Sequence, residues 1–314
     1  MTKHSTPNPF LKLAIAASLI TAAFSTPLDP SRLVPRGDTT NVQTTAAKQL
    51  DLGGAFGGSI EGASVNKAGD VFAVDFSGKG ATTTPTSFGF FHQADDGVSD
   101  VAGQDPIVIA KGAKDTFLAG SRFVKKGKKY ETDSIAGEHG DLWMCDGKKA
   151  TQFSPAILKK ADIHRTNGIE VDPKGKFLYL TSAANVKGEV VNLKVFKFAL
   201  DKKTGAILEQ DPVVFHDFSH AEKGTDLDGM RTDVDGNLYV SLNAVGKIAK
   251  LDPSGKLLQY ITTPGVKGPS NLELGGEDGK TLFAVGRCEN DQKAGCAASI
   301  GVDKPGRAFA SLNA

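Results

Sequence analysis

Four oxygen-bearing side chains recur at one position of a repeated pattern. Glu61, Asn167, Asp228 and Asn271 each stand eight residues before a glycine: Gly69, Gly175, Gly236 and Gly279. Carboxylates and side-chain amide oxygens are hard donors, the ligands that a hard divalent cation such as Ca²⁺ or Mg²⁺ takes. If each repeat delivers one such residue to a common point, that point is a cation site. A carboxylate there can also take a proton from water, and Asp228 is the candidate for that role.

The matched position has to come from matched elements. Each residue heads an alternating apolar run that turns at the glycine and returns: IEGASVNKAGDVFAVDF, TNGIEVDPKGKFLYLTS, LDGMRTDVDGNLYVSL and SNLELGGEDGKTLFAV. Period-two alternation around a turn of Asp, Asn, Lys and Gly is a β-hairpin signal. A weaker copy, LAGSRFVKKGKKYETDS, places Ala119 eight before Gly127. Further strands follow the best copies, NLKVFKFAL with DPVVFHDF, and KIAKLD with LLQYI across the turn PSGK. Four antiparallel strands per unit, repeated with almost no helical periodicity, describe an all-β fold, the β-propeller. The first strand of each blade lines the central channel, so its opening residue faces the axis at one end. Asn-Gly and Asp-Gly are also common turn pairs, which is the plainer reading of Asn167 and Asp228.

The set IEG, TNG, LDGM and SNLELGGEDGKTLF, with VDKPGRAFASL at the end, closely resembles the SMP-30/gluconolactonase family of six-bladed propeller lactonases. The resemblance covers roughly residues 50–310 and is most specific over residues 166–287. It implies six four-stranded blades, of which five are visible as repeats. It also implies one divalent cation, Ca²⁺ foremost, with Mg²⁺, Mn²⁺ or Zn²⁺ as alternatives. Glu61, Asn167 and Asp228 match the family's ligands, and Asp228 is the catalytic candidate in opening a lactone. The family's second Asn falls at Ala119, which cannot ligate, leaving water or Asn271 to fill the gap. The family's sugar-binding Arg falls at Phe117, implying a substrate less polar than an aldonolactone. Asn271, Phe117, Ala119, His164 and Arg287 form the candidate substrate-binding group, with His164 as a proton shuttle at the channel mouth. An organophosphate or aryl-ester hydrolase on the same site, and a non-catalytic propeller binding a ligand or a protein, are the rival readings.

The remaining features set the context. A formal charge of +1 over 314 residues gives no electrostatic case for nucleic acid. The apolar run LAIAASLITAAF after Lys3 and Lys12 is too short to span a bilayer comfortably. It reads as a secretory signal over residues 1–25, before a flexible leader at 26–48 and the propeller domain at 49–314. The expected protein is secreted, monomeric and active on a small lactone or ester. LVPRG within the leader resembles a protease-cleavage tag, either an engineered scar or a natural processing site. Cys288 and Cys296 enclose a polar loop that a disulfide can close, with three free thiols as the alternative and Cys145 left unpaired. His216 and His220 lie just before the loop leading to Asp228, where solvated or structural roles are commoner than catalytic ones. No GxSxG, P-loop or Cys/His zinc spacing is present.

Overall fold

The computed structural model describes residues 42–54, 56–75, 87–91, 98–100, 118–125, 128–133, 140–145, 150–208 and 210–314. Two short strands come first, β1 (Gln43–Ala46) and β2 (Lys48–Leu50). The first sheet follows as β3 (Ile60–Val65), β4 (Val71–Asp75), β5 (Ser87–Phe91) and β6 (Val98–Asp100). The second is β7 (Leu118–Lys125), β8 (Lys128–Asp133), β9 (Asp141–Cys145) and β10 (Ala150–Gln152), and it leads into the short helix α1 (Pro155–Lys160). The third comprises β11 (Arg165–Val171), β12 (Phe177–Val186), β13 (Glu189–Ala199) and β14 (Val213–Asp217). The fourth holds β15 (Asp226–Thr232), β16 (Leu238–Asn243), β17 (Lys247–Leu251) and β18 (Leu257–Thr262). In the fifth, β19 (Val266–Gly275), β20 (Thr281–Cys288) and β21 (Gly295–Gly301) are joined by β2, and the chain ends in α2 (Arg307–Leu312).

This is a β-propeller, with five sheets among the described residues. Their first strands pack side by side in the order β7, β11, β15, β19, β3. Apolar residues fill the gaps between neighbouring sheets. Leu142 and Ile163 meet Ile169 and Phe196, and Tyr179 and Val195 meet Met230 and Val240. Tyr239 and Ile248 meet Leu272 and Ala284, while Phe283 and Val285 meet Ile60 and Ala73. No helix among the described residues is long and apolar enough to cross a membrane.

The chain ends close the ring's sheets. β2 pairs antiparallel with β21, Lys48 opposite Ser299, as expected for a propeller that hides an exposed sheet edge. Residues 43–46, inside the stretch read from sequence as leader, are strand β1, which lies parallel to β18 with Gln43 opposite Gln259. The reason is another open edge: β18 is the outer strand of its sheet, and β1 covers it.

The eight-residue spacing has a local cause. Five residues after each site residue come Asn66, Asp172, Asp233 and Gly276, and the carbonyl of each accepts from the glycine three further on, at 3.0–3.2 Å. Asp233 Oδ1 also accepts from the amides of Asp235 and Asn237 at 3.0 and 2.9 Å, and Asp172 accepts from Lys174 at Oδ2 and from Lys176 and Phe177 at Oδ1. The closing glycines have φ between 62° and 94°, a region that side chains with a Cβ avoid. The spacing is therefore one inner strand plus one turn. All these turns lie at the end of the propeller opposite the site residues, and the C-terminal segment covers three of them. Val234 donates to Pro305, Gly306 to Gly279, and Asn313 Nδ2 to Lys67, at 3.0–3.1 Å.

Cys288 and Cys296 are bridged, with Cα atoms 5.0 Å apart. The bridged loop braces the approach to β3, since Gly58 donates to Lys293 and Gly295 to Phe56, both at 2.8 Å. Replacing both cysteines with serine should lower stability in denaturant unfolding by about 2–3 kcal/mol, the chain-entropy value for so short a loop. An unchanged midpoint would mean that the β20–β21 ladder alone holds the loop.

Candidate functional site

Each inner strand carries an irregularity where its site residue sits. In β11, Asn167 and Gly168 together oppose one residue of β12, between the pairs Thr166–Ser182 and Ile169–Leu180. In β15, Asp228 and Gly229 do the same opposite β16. In β3 the shift follows Glu61, and in β19 it precedes Asn271. A bulge breaks strict alternation and re-aims the side chain beside it. The glycines after Asn167 and Asp228 are not turn residues. A Cβ on Gly168 would lie 2.0 Å from the Asp228 carbonyl oxygen, and one on Gly229 would lie 2.6 Å from the Asn271 side chain. Glycine is needed there because the next inner strand passes too close for anything larger. The Asn-Gly and Asp-Gly pairs are thus packing devices of a crowded channel, and the turn reading of them falls.

The carboxylates meet at the mouth of this channel. Asp228 is buried and Glu61 is partly exposed. Burial pushes the Glu61 carboxyl up to about 7, against hydrogen bonds from Asn271, Gly62 and Ser270 and the charge of Arg287, which pull it down. Burial, and then the negative charge of Glu61, hold the Asp228 carboxyl well above its ordinary value. Asn243, at the end of β16, donates from Nδ2 to Asp228 Oδ2 at 2.8 Å, and its Oδ1 faces Arg287 Nη2 at 3.4 Å. Beside them, Arg165 Nη2 bonds both oxygens of Asp226 at 2.7 Å, tying β11 to β15 two residues before Asn167 and Asp228.

Of the residues singled out from sequence, Glu61, Asp228, Asn271 and Arg287 come together, and Asn167 stands beside Asp228 on the adjoining strand. Asn271 leans on Glu61. Its Oδ1 accepts from Leu272 at 3.0 Å and its Nδ2 lies 3.5 Å from Glu61 Oε2, so it braces Glu61. Ala119 is the extra residue of a bulge in β7, next to β11, while Phe117 lies outside the described residues. His164 immediately precedes β11, and its ring meets Asp162 at 2.9 Å. His216 is on outer strand β14, its Nδ1 against the Gly255 carbonyl at 2.7 Å, a structural role away from the inner strands. Asn243 was missed because nothing at the end of a second strand marks it; only its contact with Asp228 does.

The donor set suits a doubly charged cation. Among the described residues no cluster of three or more His, Cys, Asp or Glu exists; the centre is two carboxylates among side-chain amides. That is an oxygen set, and the two carboxylates, with the Glu61 charge raising the proton affinity of buried Asp228, call for a compensating positive charge.

Comparison with known proteins agrees with this architecture. The family model described as SMP-30/Gluconolactonase/LRE-like region matches residues 105–285. The calcium-binding protein regucalcin from Agrobacterium tumefaciens str. C58 is 16% identical, with TM-score 0.59, over 84% of this chain and 99% of that one. A luciferin-regenerating enzyme is 14% identical, with TM-score 0.56, over 79% of this chain and 93% of its own. At these identities the two structures establish a shared fold. No curated protein matches the sequence. With more than half of its length matched and its inner strands arranged as a propeller, the chain belongs to the SMP-30/gluconolactonase/LRE-like family.

Proposed function

We propose that the protein is a lactonase whose site holds one divalent cation, Ca²⁺ foremost, on Glu61, Asn167 and Asp228. The observation that carries this reading is the pair of carboxylates, Glu61 and Asp228, forced together at the channel mouth with raised proton affinity. A cation bound there would polarise an ester carbonyl and stabilise the charge developing on its oxygen. The chain's own residues do the rest. Asn243 fixes one oxygen of Asp228, and Oδ1 has no hydrogen-bond donor among the described residues. That oxygen is the one to take a proton from water as the water attacks the carbonyl carbon. The acyl–oxygen bond of the ring then breaks, and Asp228 returns the proton to the departing alkoxide, giving a hydroxy acid. Asn271 keeps Glu61 in place, and the Arg165–Asp226 pair fixes the strand entrances on either side of Asn167 and Asp228.

Family membership supports the reaction class, and the oxygen donor set supports the cation. A lactone panel, assayed after chelation and after return of Ca²⁺, Mg²⁺, Mn²⁺ or Zn²⁺, tests both. Hydrolysis that disappears on chelation and returns with one of these ions is expected. Turnover that survives complete chelation would remove the cation from the reaction, and no turnover with any pair would remove the lactonase. Secretion is part of the same proposal, supported by the signal-like N-terminus and by a disulfide of the kind that oxidising compartments maintain.

The same electrostatics predict a pH signature. In the cation-free protein both carboxyls bind protons more tightly folded than unfolded. Stability should therefore fall as pH rises from the ordinary carboxylate range towards about 7, the folded value for Glu61. A cation relieves the repulsion between the ionised forms. Its addition should raise the melting temperature clearly at pH 8 and little at pH 5, read by scanning calorimetry. An equal rise at both pH values would count against Glu61 and Asp228 as the ligands.

A further inference from the structure

The four arginines with described side chains divide into two kinds. Arg165, Arg231 and Arg307 are largely buried and each pairs with a carboxylate, Asp226, Glu273 and Glu170 respectively. Arg287 is exposed at the channel mouth; its charge reaches Glu61, but no carboxylate among the described residues lies at ion-pair distance, and its hydrogen-bond contact is the 3.4 Å approach to Asn243 Oδ1. Its place is nevertheless built. A Cβ on Gly268 would sit 3.3 Å from the Arg287 Nε, so the guanidinium lies over a position kept bare. Its backbone pairs with Gly268 on one side and Gly295 on the other, and the neighbouring Cys288 is bridged to Cys296. Through Asn243 the guanidinium stands one side chain away from Asp228.

We propose that Arg287 recognises a carboxylate on the substrate, so that the site selects lactones bearing an acidic group over neutral ones. This rests on the lactonase reading and names its substrate class. An arginine held over a site with no carboxylate at ion-pair distance keeps its paired N–H donors for a substrate carboxylate. Asn243 sets its distance from the proton acceptor, because one amide touches both. The acidic group and the scissile ester would then be held at a fixed separation, which orients the ring for attack.

The test uses the full chain in calcium-containing buffer and two probes, γ-butyrolactone carrying a ring carboxylate and its ring carboxamide. The wild type should favour the acid in kcat/KM by about tenfold or more. In Arg287→Gln the loss should fall mainly on KM for the acid, collapsing that preference, and Arg287→Lys should regain part of it. No preference in the wild type, or equal losses on both probes in Arg287→Gln, would overturn the proposal. If neither probe is hydrolysed, the lactonase reading fails separately, and calorimetry with the ring-opened acids still decides about Arg287. Tighter binding of the dicarboxylate 2-hydroxyglutarate than of its amide, 4-carbamoyl-4-hydroxybutyrate, lost in Arg287→Gln, would support the anion site. Equal binding of the two would overturn it.

Discussion

Replacing Asp228 with asparagine should lower lactone turnover by about 10²–10⁴-fold, the range for loss of a positioned proton acceptor, while making the cation-free protein more stable. The two effects have one cause. Asp228 is buried, its carboxyl is raised by burial and by the Glu61 charge, and an amide of the same shape removes that repulsion. An asparagine oxygen can still accept the 2.8 Å bond from Asn243, so the local frame survives. Opposite signs for activity and stability mark a residue kept for function at the expense of folding. Kinetics on the active lactone and calorimetry on the chelated protein read the two. A variant that loses activity and stability together would show Asp228 acting chiefly in packing.

The second large effect lies three residues further along the same strand. Arg231 donates from Nε to Glu273 Oε2 at 2.6 Å and from Nη1 to the Met230 carbonyl at 2.7 Å, and its Nη2 reaches the Ala63 carbonyl. One buried guanidinium thereby joins β15, β19 and β3. The Arg231 and Glu273 side chains are only 5% and 3% exposed, so Arg231→Met would take the ion-pair partner at 2.6 Å away from a buried carboxylate. The expected loss is about 3–5 kcal/mol, seen in denaturant unfolding. The double variant Arg231→Met, Glu273→Leu should recover much of it, because both members of the buried ion pair are then replaced by apolar groups. A single variant within about 0.5 kcal/mol of wild type would mean that water reaches Glu273.

How much of this was legible in the sequence depends on which residues carried a local signal. The glycines eight positions on, with Asn66, Asp172 and Asp233 three before them, spell out the turn, so inner strands and their register could be read directly. Cys288 and Cys296 were legible because a short polar loop joins them. The bulges at Gly168 and Gly229 were not, since their cause is a neighbouring strand some sixty or forty residues away. For the same reason the contact of Asn271 with Glu61 could not be read from the sequence. Asn243 and the Arg231–Glu273 pair sit in alternating strands like any others, and only contacts across blades distinguish them. Residues 43–46 read as leader because a strand that merely covers an edge needs little apolar patterning.

The central claim, that Glu61 and Asp228 share one cation at the channel mouth, is tested most directly by calorimetric titration of the chelated protein with Ca²⁺ at pH 8. The wild type should bind one ion per chain, and Glu61→Gln and Asp228→Asn should each weaken that binding by about 100-fold or more. Binding of the same strength in both variants would contradict the claim.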